Sequence, residues 1–352
     1  MRKKNTFKDN WPTVIDLFCG SGAVSAALKA SHFKVLAAVD NDPFACSTYR
    51  LNHPKVQLYE SDIRYLKPQK IKDECLKGSM LDLMVICAPC QPFSSQNKNR
   101  NNDPRSRLLI RGGTFVRELK PKVVLVENVP GLASEGNAKL LSEFKKKCGN
   151  EYTFTPSYTI DAADYGVPQR RVRCLLIGVR GGVVPEMPEP ITPKGNRVTV
   201  RDAIYKLVPL RSGEMDISDP LHVARDHRPI ALKRLRAIPK DGGSRSALPQ
   251  SLELKCHKDN SGYPDVYGRM KWDDIAPTLT TGCTDVTRGR FAHPDDDRAI
   301  TLREAALLQT FPKKYKFSGS PKVIATQIGN AVPCALIKSL AKTLRKSIRE
   351  CN

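Results

Sequence analysis

Apolar residues in the first half of the chain come as short, unbroken runs. Residues 14–18, 35–39, 56–59, 83–87 and 123–127 each read as a strand buried on both faces, and 153–160 and 173–179 add two more. Between the runs, apolar positions recur at helical spacing over 23–30, 43–51, 108–119 and 138–147. Short buried strands alternating with amphipathic helices predict an α/β fold built on a doubly wound, Rossmann-like parallel sheet.

The rhythm stops after Gly181-Gly182. Pro185, Pro188, Pro190 and Pro193 crowd one short stretch, which predicts an extended linker. From there to about residue 277 no period dominates, and glycine, proline and basic residues take over. A larger domain is predicted over 1–184, completed by 318–352, with a smaller, loop-rich domain over 185–317. Helical patterning returns at 301–309, where Thr301 and Glu304 have the spacing of a capping box. A last amphipathic helix over 332–348 is expected to pack on the first half.

At 352 residues the chain is long enough for two domains, each with its own core. Eleven cysteines, an odd number scattered widely, argue against a secreted disulfide framework. No unbroken apolar run reaches the length of a membrane span, and the first residues lack the apolar core of a signal peptide. A cytoplasmic protein is expected, nucleoid-associated in a bacterium, with no membrane partner. No metal is expected, because no second Cys pair and no His pair stands at zinc-ligand spacing beside Cys87 and Cys90. The net charge of +22 favours a polyanionic partner, without separating DNA from RNA. Part of that excess lies in 225–258, with nine Lys/Arg against three Asp/Glu.

Several polar groups sit where the predicted strands end. Gly20-Ser21-Gly22 follows the first strand, and Asp40 closes the second; Ser25 stands where a third glycine would complete G-x-G-x-x-G. Such a loop admits a ligand to the backbone and the helix N-terminus, and suits a nicotinamide dinucleotide and S-adenosylmethionine equally. Ser61-Asp62-Ile63 follows the third strand, where a carboxylate would reach an adenine amino group. Cys90, within Pro89-Cys90-Gln91-Pro92, and Glu127, followed by Asn128, come at the ends of two further runs. A thiol and a carboxyl at the carboxyl ends of buried strands can act as nucleophile and acid in one site. A thiolate can add to an electron-poor ring carbon, and a protonated carboxyl can stabilise the charge that develops. Apolar burial would keep that carboxyl protonated. Asn128 is placed to orient Glu127 or to fix the Cys90 loop. Arg171 and Arg173 share one side of the seventh strand, suited to a base, a thiolate or a phosphate. Cys87 and Cys90 also spell C-x-x-C, but Cys87 closes an apolar run and reads as a core thiol.

Taken in order, residues 16–22 (DLFCGSG), 89–94 (PCQPFS), 127–130 (ENVP), 169–173 (QRRVR), 298–312 and 327–333 (QIGNAVP) resemble the motif series of the cytosine-C5 DNA methyltransferases over almost the whole chain. The resemblance implies S-adenosylmethionine as cofactor and a cytosine flipped out of duplex DNA as substrate. It implies that Cys90 attacks C6, that Glu127 contacts N3 and the amino group, and that Arg173, with Arg171 beside it, holds the base and the thiolate. Phe18, Gly20, Ser21, Gly22, Asp40, Asn41, Asp62, Ile63, Pro89, Asn330 and Val332 would line the cofactor pocket, the last two at the opening of the final helix. Gln91, Ser94, Lys98, Arg100 and Arg105 would meet DNA, with 97–111 a mobile loop closing over the flipped base. Lys233 and Arg234 would do so within a target-recognition region over 185–277, with DNA in the cleft between the domains. The chain would act as a monomer; a cognate restriction enzyme would belong to the same system without forming a stable complex.

Asp40 stands where many members carry Glu, and Asn41 where a larger side chain is common; neither departure removes a catalytic group. Two rivals stay open. A transfer-RNA cytosine methyltransferase shares most motifs, but its Cys-Phe-Thr signature is replaced here by Thr280-Thr281-Gly282-Cys283-Thr284. An inactive nucleic-acid binder is opposed by the intact Cys90, Glu127 and Arg173.

Overall fold

The computed structural model describes residues 11–94, 103–254 and 265–351. The chain forms two compact units, Met1–Asp161 with Val172–Pro190 and Cys334–Asn352, and Ala162–Arg171 with Ile191–Pro333. These divisions fall elsewhere than 184/185 and 317/318. Residues 162–171 and 318–333 belong to the second unit, and only the last helix returns to the first.

The first unit runs β1 (Thr13–Leu17), α1 (Ala23–Ala30), β2 (Lys34–Asp40), α2 (Pro43–Asn52), β3 (Gln57–Glu60), α3 (Pro68–Ile71), β4 (Leu83–Ile86), α4 (Arg107–Leu119), β5 (Val123–Asn128), α5 (Ala138–Cys148), β6 (Tyr152–Phe154), β7 (Tyr158–Asp161) and β8 (Val172–Arg180). Its sheet has the order β3-β2-β1-β4-β5-β8-β6, with β7 also paired to β8. The sheet is mixed where an all-parallel one was expected. β1 to β5 run parallel, and β8 runs antiparallel to β5, β6 and β7. The single strand expected over 153–160 is two, because Pro156 has no N–H for the ladder; pairing jumps from Phe154↔Gly178 to Tyr158↔Leu175.

Every residue of β4 and β5 is buried, as their unbroken apolar runs require. Their side chains join those of α4 and α5 in one apolar core. Strand order reverses on either side of β1, so the carboxyl ends of β1 and β4 flank the switch point, where α/β sheets bind ligands.

The second unit is mostly irregular. It holds α6 (Val200–Ile204), α7 (Pro229–Ala237), α8 (Leu302–Leu308) and α9 (Pro321–Asn330), and the chain then returns to the first unit as α10 (Cys334–Glu350). α8 opens on the expected capping box between Thr301 and Glu304. α7 was not expected because only Leu235 on it is fully buried, leaving no apolar stripe to read. α9 was not expected either, and it moves the 327–333 motif. Gln327 to Asn330 close α9 instead of opening the last helix. Residues 321–350 are long and apolar enough to cross a membrane by length and composition, but 67% of the apolar window is buried within the fold.

Candidate active site

The loop after β1 is shaped by backbone conformations that few residues adopt. Phe18, Gly20 and Gly22 all have positive φ, at 60°, 51° and 93°. A Cβ on Gly20 would meet nothing within 4 Å, so the face of the loop is open to a ligand. Asp40, at the end of β2, accepts the Gly20 N–H at 2.8 Å and the Asp42 N–H at 2.9 Å. Those bonds hold the carboxylate against the loop and leave lone pairs for hydroxyl donors. Beneath the loop, buried Asp16 accepts from Ser25 Oγ at 2.7 Å, and Ser25 Oγ also meets Tyr49 Oη at 2.8 Å. That bond explains why serine stands where a third glycine was expected. Asp16 Oδ1 is buried and makes no hydrogen bond among the described residues. Burial raises the Asp16 carboxyl from 3.8 to about 7. A glycine cradle with open space above it, a carboxylate at the end of β2 and an acceptor beneath it fit a nucleoside-bearing cofactor. Asn41 is exposed and Ile63 is buried. Asp62 is held by Arg64, whose Nη2 lies 2.6 Å from Oδ2, so an adenine would have to share that carboxylate.

The nucleophile loop leaves β4 with the Cys87 N–H donating to Leu17 O at 3.2 Å, which ties it to the end of β1. Cys87 is partly buried rather than a core residue, and desolvation pushes its thiol well up. Half-buried Cys90 precedes a 3-10 turn over Gln91–Phe93, and the Phe93 N–H closes that turn on Cys90 O at 3.0 Å. Gln91, Ser94 and Pro89 lie partly buried on the same loop. One bond from β5 fixes it, made by an Asn128 side chain that is itself held by its neighbour. Asn128 Nδ2 donates to Ala88 O at 2.9 Å, and Asn128 Oδ1 accepts the Val129 N–H at 2.9 Å. A Cβ on Gly131 would come within 1.9 Å of Phe93 O, so only glycine lets the 130–133 turn approach so closely.

Glu127 and Arg173 sit on neighbouring strands, β5 and β8, with Arg173 Nε 2.9 Å from Glu127 Oε1; their side chains are 12% and 7% exposed. Apolar burial was expected to keep Glu127 protonated. The structure instead gives it a guanidinium, a partner for a carboxylate. Cys90, Glu127, Asn128 and Arg173 thus belong to one end of one sheet, together with the loop after β1.

Other expected residues are engaged elsewhere. Arg171 belongs to the second unit and is 2% exposed; its guanidinium donates to the carbonyls of Leu279, Gly329 and Ala331. Gln309 donates to Ile328 O and Ala331 O, and Gln169 donates to Gln309 Oε1. These side chains clamp the backbone on both sides of Asn330 and next to buried Val332, so the 169–173 motif here braces a loop. Lys98 and Arg100 lie outside the described residues. The described part of the expected mobile loop is a 3-10 turn, Pro104–Ser106, followed by α4. Its bases are bonded within the unit. Arg105 pairs with Asp103, Arg107 with Glu143, and Arg111 donates to Ile63 O and Leu66 O. On α7, Lys233 is exposed, while Arg234 donates to Leu252 O at 2.8 Å and stacks on Tyr267. Among the described residues no cluster of three or more His, Cys, Asp or Glu could hold a metal.

Sequence reading missed the Asp16–Ser25–Tyr49 chain and the bracing by Gln309. A carboxylate inside a buried apolar strand, Asp16, was the available signal for the first.

Residues 12–346 match the model of the C-5 cytosine-specific DNA methylase family. The chain is 37% identical over 340 residues to type II methylase M.HgiDII of Herpetosiphon aurantiacus, covering 95% of each. It is 31% identical over 340 residues to type II methyltransferase M.PspPI of a Psychrobacter species, covering 94% of this chain and 78% of that one. In three dimensions it is similar to a protein described as a DNA modification methyltransferase encoded within an E. coli prophage, with TM-score 0.77 and 25% identity over 96% of this chain and all of that one. The S. pombe Dnmt2 methyltransferase shares the fold at TM-score 0.63 and 19% identity, over 96% of this chain and 99% of that one. A sheet that gathers a thiol, a carboxyl and an arginine beside a glycine cradle, matched along nearly its whole length, makes this chain a member of the C-5 cytosine-specific DNA methylase family.

Proposed function

We propose that this DNA cytosine-5 methyltransferase works through a covalent adduct between Cys90 and cytosine C6 in duplex DNA, with S-adenosylmethionine as methyl donor. The observation that carries the reading is the bond from Asn128 to Ala88 O. It anchors the nucleophile loop to the strand that presents Glu127.

The Cys90 thiol gives its proton to solvent and its sulfur bonds to C6, which ends the aromaticity of the ring. Glu127 donates a proton to N3 as charge develops there. Because Arg173 holds Glu127 in an ion pair, that proton is acquired as the base arrives, when N3 and the exocyclic amino group replace part of the Arg173 contact. When bound, S-adenosylmethionine would supply an electrophilic methyl group for C5. Loss of the C5 proton to solvent then expels the Cys90 thiolate, and return of the N3 proton to Glu127 restores the ring. Phe18, Gly20, Ser21, Gly22 and Asp40 hold the nucleoside part of the donor. Arg171 serves by keeping the Asn330 backbone in place. Recognition of the DNA sequence falls to the second unit, where Lys233 contacts phosphate.

Bisulfite sequencing of DNA from cells expressing the protein tests this reading. Protected cytosines at one recurrent sequence, lost with Cys90→Ser, are expected. Full conversion of the DNA alongside protected cytosines in transfer RNA would replace it with the RNA reading.

A further inference from the structure

The first unit carries a second feature suited to nucleic acid, at the other edge of its sheet. α1 leads from the carboxyl end of β1 to the amino end of β2, so Ser31 and His32, which follow α1, lie at the amino edge. Cys90 follows the carboxyl end of β4, which runs parallel to β1. The length of a strand, on the order of 20 Å, separates the two edges.

Ser31 and His32 form one wall of an open cavity of about 390 Å³, and α10 forms the other. α10 contributes Lys338, Lys342, Arg345 and Arg349, and no acidic side chain lines the cavity. The nearby carboxylate of α10, Glu350, is 3.9 Å from Lys346. Arg345 lies over the Phe33 ring at 5.2 Å; its Nε is buried and makes no hydrogen bond among the described residues. Helix dipole compensation at the end of α1 would need one cation, and one is already there in Lys29. Four basic side chains converging on a concavity with no acidic lining match a row of phosphates. None of them belongs to the machinery described above.

We propose that the groove between the end of α1 and α10 binds the phosphate backbone of a second duplex segment, away from the segment being methylated. The groove reads no bases. It retains the protein on non-specific DNA.

The test compares the full chain with the double variant Lys342→Glu/Arg349→Glu, both changes being at exposed positions. First, each protein is trapped on a short 5-fluorocytosine duplex, which fills the catalytic site, and a labelled duplex lacking cytosine is then added. The trapped parent should bind the second duplex, and the trapped variant should bind it at least tenfold more weakly. Second, untrapped proteins are titrated with the same duplex over a salt series. Loss of two phosphate contacts should reduce the slope of log K against log salt by roughly 1.8 units. Equal slopes and equal second-duplex binding would overturn the proposal. So would a site for free phosphate, seen as a melting temperature that inorganic phosphate raises in the parent alone while the slopes stay equal. Failure of the trap in the parent would contradict the Cys90 reading instead, and the salt series would still decide on the groove.

Discussion

The two units of this molecule hold themselves together by different means. In the first, a ladder of strands carries an apolar core, and among the described residues no arginine or lysine is buried. In the second, Arg171, Arg269, Arg298 and Arg303 are all buried. Arg269 donates to the carbonyls of Leu235, Ile238, His293 and Asp296 and pairs with Asp297. Arg298 forms a two-pronged pair with Glu304 and donates to Leu210 O. A chain with little regular structure leaves its carbonyls without ladder partners, and a guanidinium with five N–H groups gathers several at once. Basic residues that look like a DNA-facing surface in the sequence are therefore partly the interior of the second unit.

This contrast can be broken by exchange. Arg269→Met should destabilise the second unit by ~3–5 kcal/mol, since it removes a buried donor from four carbonyls and one of the partners of Asp297. Arg269→Lys should rescue little, because an ammonium lacks the fork. Leu125→Ala in β5 should cost ~2–5 kcal/mol, but Leu125→Met less than ~1.5. Hydrogen exchange resolved by segment measures both. If Arg269→Lys were as mild as Leu125→Met, the two interiors would not differ in the way described.

Asp16 is a buried charge problem in the otherwise apolar interior of the first unit. Its carboxyl is raised from 3.8 to about 7, chiefly by burial, with the Ser25 bond acting the other way. The folded protein therefore keeps a proton that the unfolded chain has released between about pH 4 and 7. Stability should fall as pH rises through that window, by up to ~1.4 kcal/mol per unit, and level off above it. Urea titrations of the parent and Asp16→Asn across pH 4 to 8 check this: the variant should lose that slope, and an unchanged slope would count against the assignment.

The smallest effect separates two neighbours on α7. Arg234→Ala should lower stability by ~1–2 kcal/mol, because its bond to Leu252 O and its stacking on Tyr267 are lost. Lys233→Ala should leave stability within ~0.5 kcal/mol and reduce the salt slope of DNA binding by about one unit. Denaturation together with salt titration distinguishes them, and identical behaviour of the pair would refute the distinction.

The same contrast decides what was legible in the sequence. β4, β5, Cys90 and Glu127 could be read because an unbroken apolar run ends at a polar residue, and burial on both faces leaves no other pattern. Four helices of the first unit fall within a residue, at each end, of the bounds that their helical spacing of apolar positions predicts. The break at Pro156 was legible and was overlooked. The work of Arg171, Arg234 and Arg111 could not be read, because bonds from a side chain to distant carbonyls have no period. Helix α7, with one fully buried residue, left no periodic trace either.

The proposed mechanism rests on Cys90 acting as the nucleophile. Duplex DNA carrying 5-fluorocytosine at the methylated position tests this directly, because fluorine cannot leave as a cation and the adduct cannot break down. With cofactor present, the parent should form a denaturant-resistant protein–DNA complex whose linked peptide contains Cys90, and Cys90→Ser should form none while still binding the duplex. An adduct that persists in Cys90→Ser, or its absence with a parent protein that methylates ordinary DNA, would contradict the account.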